Sequence, residues 1–171
     1  MQIRLAVALT LAVPGVAAAQ GLEAVTPLYD MAKGWLSKSA DMITDANWNF
    51  KPTPAVRSFG ELIGHVADSN YMFCSIALGE KSPATAEFEK VTNRAQVVQG
   101  LKDALAYCDK AYKIPAAKLG EQVSLPFGNM KGSRLWVLMF NVAHNNEHYG
   151  NLVTYFRLKN MVPPSSQGNG M

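Results

Sequence analysis

The sequence is poor in the residue types that define several protein classes. Its 171 residues include only two cysteines, which excludes a small disulfide-rich protein. Neither sign of charge dominates, because 16 lysines and arginines stand against 13 aspartates and glutamates along the chain. Nucleic-acid binding needs basic side chains clustered on one face, so we expect no nucleic-acid partner. The hydrophobic content of 49% excludes a disordered chain and predicts one globular domain.

No hydrophobic run is long enough to cross a bilayer, which takes about 20 residues. The apolar run near the N-terminus, Leu5 to Val16, follows Arg4 and precedes three alanines at 17–19 that form an A-x-A cleavage pattern. We therefore expect residues 1–19 to be a cleavable signal peptide and the mature protein to be periplasmic or secreted, without stable membrane insertion. An uncut N-terminal membrane anchor is the alternative.

The predicted export affects the expected oxidation state of the two cysteines. An oxidising compartment allows Cys74 and Cys108 to form a disulfide. Closing a loop of about 34 residues would stabilise the fold by about 3–4 kcal/mol. Two buried free thiols, packed as small hydrophobic residues, are the alternative.

Helical periodicity dominates the chain. Apolar residues recur every three or four positions and predict four helices at about 22–46, 58–79, 92–115 and 133–159. The second begins with a capping box, in which Glu61 follows Ser58 by three residues. Thr92 is the predicted N-cap of the third. Helices of this number and length predict an all-α four-helix bundle over residues 20–164, with a disordered tail at 165–171.

The connection from Pro115 to Gly132 is longer than most loops in compact domains. It contains EQVSLPF (121–127), the one stretch whose alternation suggests a strand. The connection is either a lid over one end of the bundle or a surface excursion.

Histidine is also scarce, and the positions of the three histidines suggest a common site. His144 and His148 are four residues apart on the fourth predicted helix, so both imidazoles project from one face. His65 lies on an inward-facing stripe of the second predicted helix. A buried ring with an unpaired donor or acceptor costs about 1–3 kcal/mol, and one metal ion could satisfy all three. We predict that His65, His144 and His148 bind a divalent metal; the alternative is a metal-free bundle whose histidines are hydrogen-bonded internally.

The three histidine ligands limit which metal ions would bind and indicate what the bound ion would do. Three neutral imidazoles suit Zn²⁺ or Ni²⁺, and Cu²⁺ and Fe²⁺ are also compatible. Three protein ligands leave a coordination position open, which is typical of catalytic zinc. Asp68, Glu61 and Asn141 each lie one turn from a histidine and are candidates to accept a ring N–H, with Asp68 ranked first. Asp68 or Glu147 would assist proton transfer.

Two other kinds of metal site do not fit. His144 to His148 matches H-x-x-E-H, the inverted-zincin signature, but those peptidases take a further downstream glutamate and no acidic residue follows Glu147. A di-iron carboxylate bundle requires Glu-x-x-His on two helices, and no such pair occurs.

Two stretches, RSFGELIGHVADSNYMFCS (57–75) and HNNEHYGNLVTYFRLKNMVPPSS (144–166), resemble the DinB-like (DinB/YfiT) proteins. The resemblance covers about residues 28–164. It implies a four-helix bundle in which one histidine of the second helix and an H-x-x-x-H of the fourth bind a divalent metal. These positions match the three histidines singled out above. The resemblance also implies homodimers in many members, and thiol transferase or isomerase chemistry in some.

The leading hypothesis is an exported metal-dependent enzyme, a hydrolase or a thiol-transferase-like enzyme, acting on a small molecule. Low-molecular-weight thiols are cytoplasmic reductants, so the predicted export disfavours thiol transfer. The second hypothesis is a non-catalytic metal-binding or stress-related bundle.

Overall fold

Four long helices form the body of the protein. The computed structural model describes residues 14–168, with the surroundings of the side chains from Gly21 onward. A short helix, α2, lies between the first two long helices. The five α-helices are α1 (Pro14–Met42), α2 (Asp45–Trp48), α3 (Phe59–Leu78), α4 (Arg94–Ala111) and α5 (Arg134–Leu158). The predicted bundle of four long helices is confirmed, although the structure is mostly helical rather than all-α, because it also contains a short β-hairpin.

Helix α3 is central to the packing, since it contacts both α4 and α5, while α1 packs against α5 and α4. Each long helix presents one apolar face inward because its apolar residues recur every three or four positions. The fully buried side chains come from all four and include Tyr29, Leu36, Phe73, Leu101 and Phe156. Within residues 14–168, no helix is both long and apolar enough to cross a membrane.

Local capping sets the helix starts. Glu61 and Ser58 exchange hydrogen bonds as the predicted capping box at the start of α3. The predicted N-cap of α4, Thr92, is wrong by one residue. Asn93 is the N-cap, and its side-chain oxygen accepts a hydrogen bond from the N–H of Gln96 at 3.0 Å. Asparagine is the stronger N-cap residue of the two.

The first long helix ends at Met42, about four residues earlier than predicted. The chain leaves the helix before Thr44, which has an extended backbone and occupies the N-cap position of the short helix α2. The buried Trp48 at the end of α2 then packs against Gly60 of α3, where a Cβ would overlap its ring.

The long connection before α5 contains a β-hairpin. Strands β1 (Gln122–Ser124) and β2 (Lys131–Ser133) pair antiparallel, with Val123 opposite Gly132. The predicted strand is confirmed in this segment. The hairpin contacts α3 through β1 and α5 through β2, so it packs on the bundle. The lid interpretation stays a prediction.

A disulfide between Cys74 of α3 and Cys108 of α4 joins two neighbouring helices. Both cysteines are fully buried. The disulfide interpretation is therefore confirmed, and the alternative of two free thiols is wrong.

The predicted signal peptide, residues 1–19, falls largely outside the described part of the chain, which begins at residue 14. Helix α1 begins at Pro14 and runs through the predicted cleavage region. The signal peptide stays a prediction.

The structure differs from the predicted disordered tail at its first residues. Pro164–Ser166 form a 3₁₀ turn, and the N–H of Ser165 donates a hydrogen bond to the Tyr149 hydroxyl at 2.8 Å. Pro164 is buried, so this turn is held against the bundle by packing as well as by the hydrogen bond. Residues 169–171 lie outside the described residues.

Candidate metal centre

Three imidazole nitrogens converge between α3 and α5. The Nε2 atom of His144 lies 3.3 Å from Nε2 of His65 and 3.1 Å from Nε2 of His148. One nitrogen from each ring can be chosen so that all three lie within 4.8 Å of one another. The structure therefore brings the three predicted ligands together, although they come from helices far apart in sequence.

Buried asparagines fix the register in which α3 meets α5. The side-chain amides of Asn70 and Asn145 exchange hydrogen bonds of 2.9 and 3.1 Å between the two helices. A buried amide without partners is costly, so sliding one helix along the other would be strongly disfavoured. Asn145 directly follows His144, and this pairing therefore holds His144 opposite His65.

Asn141 belongs to the same amide cluster and not to a histidine. Its Nδ2 donates to Oδ1 of Asn70 at 3.2 Å and to the Tyr112 hydroxyl at 3.1 Å. The prediction of Asn141 as an acceptor for a ring N–H is corrected, because its side chain faces the core.

Burial keeps two of the three rings neutral. Burial, followed by the nearby His148 and His65, lowers the pKa of His144 to about 3, because a positive charge there would be poorly solvated and repelled by a second one. Burial and then His65 likewise lower the pKa of His148 to about 4. Neutral imidazole is the form that offers a lone pair to a metal.

The third ring is oriented by an acidic side chain. The Nδ1–H of His65 donates to Oε2 of Glu89 at 2.8 Å, which leaves Nε2 as the lone-pair nitrogen facing the other two rings. Arg57 Nε donates to the other oxygen of Glu89, also at 2.8 Å. Burial raises the pKa of Glu89, but the hydrogen bonds from Arg57 and His65 outweigh it, so the pKa lies below its ordinary value.

Glu89 is held in place by a turn packed on α3. Its 3₁₀ turn, Phe88–Lys90, is fixed by Asp68, whose two oxygens accept the backbone N–H groups of Phe88 at 2.8 Å and Glu89 at 2.9 Å. The turn lies close to Gly64, the residue before His65, where a Cβ would overlap the Phe88 carbonyl. Asp68 therefore acts on the histidine through Glu89, which corrects its prediction as a direct ring partner.

The donor set fits a divalent transition-metal ion. Nitrogens about 2.0–2.1 Å from one tetrahedral zinc ion lie about 3.3–3.4 Å apart, close to the separations of His144 Nε2 from Nε2 of His65 and of His148. A cation can accept a lone pair from each of the three Nε2 atoms, whereas a hydrogen bond between two of these nitrogens requires a proton on one of them. The Nδ1 atoms of His144 and His148 have no hydrogen-bond partner among the described residues.

The sequence model of the DinB superfamily matches residues 29–152. This chain belongs to the DinB superfamily. The match spans most of the helical bundle and includes the positions of all three histidines. A search of curated proteins finds no match.

Solved structures share the DinB bundle fold. A DinB-like protein from Bacillus cereus ATCC 10987 is 16% identical, with a TM-score of 0.71 over 83% of this chain and 95% of that chain. The DinB-like protein YjoA from Bacillus subtilis is 18% identical, with a TM-score of 0.65 over 84% and 98%. YfiT from Bacillus subtilis, described as a probable metal-dependent hydrolase with an unusual four-helix bundle topology, is 12% identical, with a TM-score of 0.62 over 94% of both chains.

Two further predictions for this DinB site concern acidic residues. Glu61 is engaged elsewhere, because its carboxylate accepts the N–H of Ser58 and pairs with Lys51. It is therefore not a ring partner. Glu147 is exposed on α5, next to His148 in sequence.

Glu89 is the residue that sequence reasoning missed. It lies in the polar segment between α3 and α4, outside every periodic stretch. Helical spacing relates residues on one element, and it carries no information about a side chain that reaches a helix from a separate turn. Glu89 also lines a cleft of about 620 Å³ together with Arg57, Asn151 and Tyr155, among other residues.

Proposed function

We propose that this protein is a metal-dependent enzyme of the hydrolase type, which binds one divalent ion through the Nε2 atoms of His65, His144 and His148. The convergence of these three nitrogens carries the proposal, since Nε2 of His144 lies at a ligand-to-ligand distance from Nε2 of both His65 and His148. The description of the structural relative YfiT as a probable metal-dependent hydrolase supports the reaction class.

The ligand set suits catalysis better than a purely structural ion. Three protein ligands leave part of the coordination sphere free for a substrate. The side chain of His65 is 21% exposed, so the site is reachable from solvent. When bound, the ion supplies Lewis acidity and lowers the pKa of water.

The residues around the triad have separate tasks in this proposal. Glu89 holds the His65 tautomer, and Arg57 keeps Glu89 charged. Both oxygens of Asp68 are occupied by backbone N–H groups, so we assign it to positioning the turn. Glu147, which is exposed and precedes His148 in the chain, is then the proposed proton acceptor.

We propose Zn²⁺ or Ni²⁺ as the ion, because three neutral imidazoles suit both. We also propose that the protein is exported and acts on a small molecule. The disulfide supports export, since disulfides persist mainly in oxidising compartments. The same environment disfavours a thiol transferase. The homodimer stays a prediction.

Metal titration of the stripped protein tests the ligand set. We expect one equivalent of Zn²⁺ or Ni²⁺ to bind, and stoichiometric binding to be lost in His65→Ala, His144→Ala and His148→Ala. Asn146→Ala, between the two ligands of α5, is the matched control and should retain one equivalent. Unchanged stoichiometry in all three histidine variants would refute the metal site.

Catalysis needs a separate test. The Co²⁺-loaded protein should change its visible absorption when azide is added, because azide occupies a free coordination position. Hydrolysis of a panel of small esters and amides should depend on the metal and fall in Glu147→Gln. An absorption spectrum insensitive to azide, with no metal-dependent hydrolysis, would favour the non-catalytic metal-binding bundle instead.

A further inference from the structure

The face of α5 that carries the histidines continues as an aromatic face. Trp136, Phe140, His144 and His148 follow one another at intervals of four residues. Residues four apart on a helix lie on the same side, about 6 Å along the axis. The two ligand histidines and the two aromatic residues therefore form one row, with the aromatic end next to the β-hairpin.

Three phenyl rings close around that end of the row. The ring centroids of Phe73, Phe127 and Phe140 lie 5.2–6.1 Å apart. His144 joins them, with its ring 5.5 Å from Phe73 and 6.5 Å from Phe140. Trp136 stacks on Phe140 at 5.2 Å with an interplanar angle of 16°. We call Phe73, Phe127, Trp136 and Phe140 the aromatic patch.

The outer part of the aromatic patch is exposed. Phe127, between the two hairpin strands, is 40% exposed, and Trp136 is 37% exposed. Met130 of the same hairpin is 46% exposed. Large apolar side chains grouped at the surface commonly mark a ligand-binding site. Leu158 is more exposed than any of these but lies at the far end of α5, away from the aromatic patch.

We infer that the aromatic patch binds an aromatic or other flat apolar group of the substrate, whose reacting group lies at the histidine triad. The continuity between the patch and the triad carries this inference, because the ring of His144 packs beside Phe73 and Phe140 of the patch. Aromatic side chains such as these form stacked or edge-to-face contacts with another aromatic ring, which favours an aromatic ligand. This substrate class rests on the proposed function, which supplies the reacting end of the site.

Two hydroxamates that share a chelating group test the patch. Acetohydroxamate carries a methyl group and benzohydroxamate a phenyl group, and both are titrated into the Zn²⁺-loaded protein by calorimetry. We expect benzohydroxamate to bind about tenfold more tightly, from burial and stacking of the phenyl ring. In Phe127→Ser the preference should fall below about threefold, with acetohydroxamate affinity unchanged. Leu158→Ser is the matched control and should retain the full preference.

Phe127 lies in a loop, so its replacement should leave the helical content and metal content unchanged. The inference is overturned if the preference for benzohydroxamate is absent, or if it is equal in the wild type and Phe127→Ser. It is also overturned if the wild type sediments as a dimer that Phe127→Ser dissociates, because a second copy would then cover the patch.

A second measurement separates this inference from the proposed function. If neither the metal nor acetohydroxamate bound, the proposed metal-dependent function would be refuted, but the inference about the aromatic patch would not. The patch is then tested in metal-free protein by NMR, with benzamide as the ligand. We expect benzamide to shift the indole N–H signal of Trp136 in the wild type and not in Phe127→Ser, with the buried Trp48 signal as internal control. An unshifted Trp136 signal would overturn the patch.

Discussion

Glu89 accepts a hydrogen bond from His65 across a distance of 2.8 Å, although 24 residues separate them in the chain. The contact exists because the turn that carries Glu89 packs directly on α3, next to Gly64. The same carboxylate accepts a hydrogen bond from Arg57, so it stays charged. The orientation of one candidate ligand thus depends on a segment that belongs to none of the long helices.

Replacing Glu89 should weaken metal binding without unfolding the protein. We expect Glu89→Gln to lower metal affinity about 10–100-fold, because the neutral amide stabilises the His65 N–H less than the carboxylate does. The measurement is a competitive titration against a chromogenic chelator. Glu87→Gln is the control, since Glu87 is exposed on the same segment and pairs with Lys90. Equal affinities in both variants would show that Glu89 does not position the ligand.

Adding one methyl group at Gly64 should disturb both stability and the site. A Cβ there would overlap the carbonyl of Phe88, so Gly64→Ala must push the turn and Glu89 away from His65. We expect a loss of about 1–3 kcal/mol in the free energy of unfolding, together with weaker metal binding.

Urea denaturation and metal titration measure the two effects of Gly64→Ala. Gly150→Ala on α5 is the control, because open space surrounds that position. It should raise the free energy of unfolding by about 0.5–1 kcal/mol through helix propensity. If Gly64→Ala behaved like Gly150→Ala, the close packing of the turn would be refuted.

The metal-free protein should lose stability as the pH falls below about 6.5, the pKa of an unfolded imidazole. Burial lowers the pKa of His144 to about 3 and of His148 to about 4 in the folded state. Between these values the unfolded chain binds more protons, so the free energy of unfolding decreases with falling pH. Denaturant titrations at pH 7, 6, 5 and 4 measure this slope.

Carboxylates also titrate in that range, so the histidine contribution needs its own control. A double variant, His144→Gln with His148→Gln, removes both imidazoles and keeps polar side chains of similar size. Its stability should depend less steeply on pH between 6.5 and 4 than that of the wild type. Identical slopes would mean that the two imidazoles are not held neutral by the fold.

The disulfide should contribute strongly to stability. Cys74 and Cys108 enclose 34 positions of chain, and a loop of that length corresponds to about 3–4 kcal/mol of unfolding free energy in the chain-entropy account. Replacing both with alanine should lower the urea midpoint by the corresponding amount. Reductant should destabilise the wild type and leave the double variant unchanged. A wild type insensitive to reductant would contradict the prediction.

Local pattern was enough to predict the helices and the inward direction of the three histidines. The spacing of His144 and His148 places both on one face of a helix, and the stripe containing His65 faces inward. These are properties of single helices, which depend on residues three or four positions apart. The capping box at Ser58 and the strand near Val123 are local in the same sense.

The partners of the histidines could not be predicted from such patterns. Asp68, Glu61 and Asn141 each lie one turn from a histidine, yet each is bound elsewhere. Their partners are a backbone turn, a helix N-terminus and a buried amide cluster, respectively. The actual partner, Glu89, reaches the ring from another segment.

The amino-acid sequence alone determined that this protein has four amphipathic helices and that its only three histidines point inward from two of them. The tertiary structure decided that these rings meet, which carboxylate orients His65, and that aromatic side chains from α3, α5 and the hairpin gather beside His144. The physical reason is the distance along the chain over which each relation holds. Periodicity relates residues of one helix, whereas these contacts depend on how separate segments pack and exclude water.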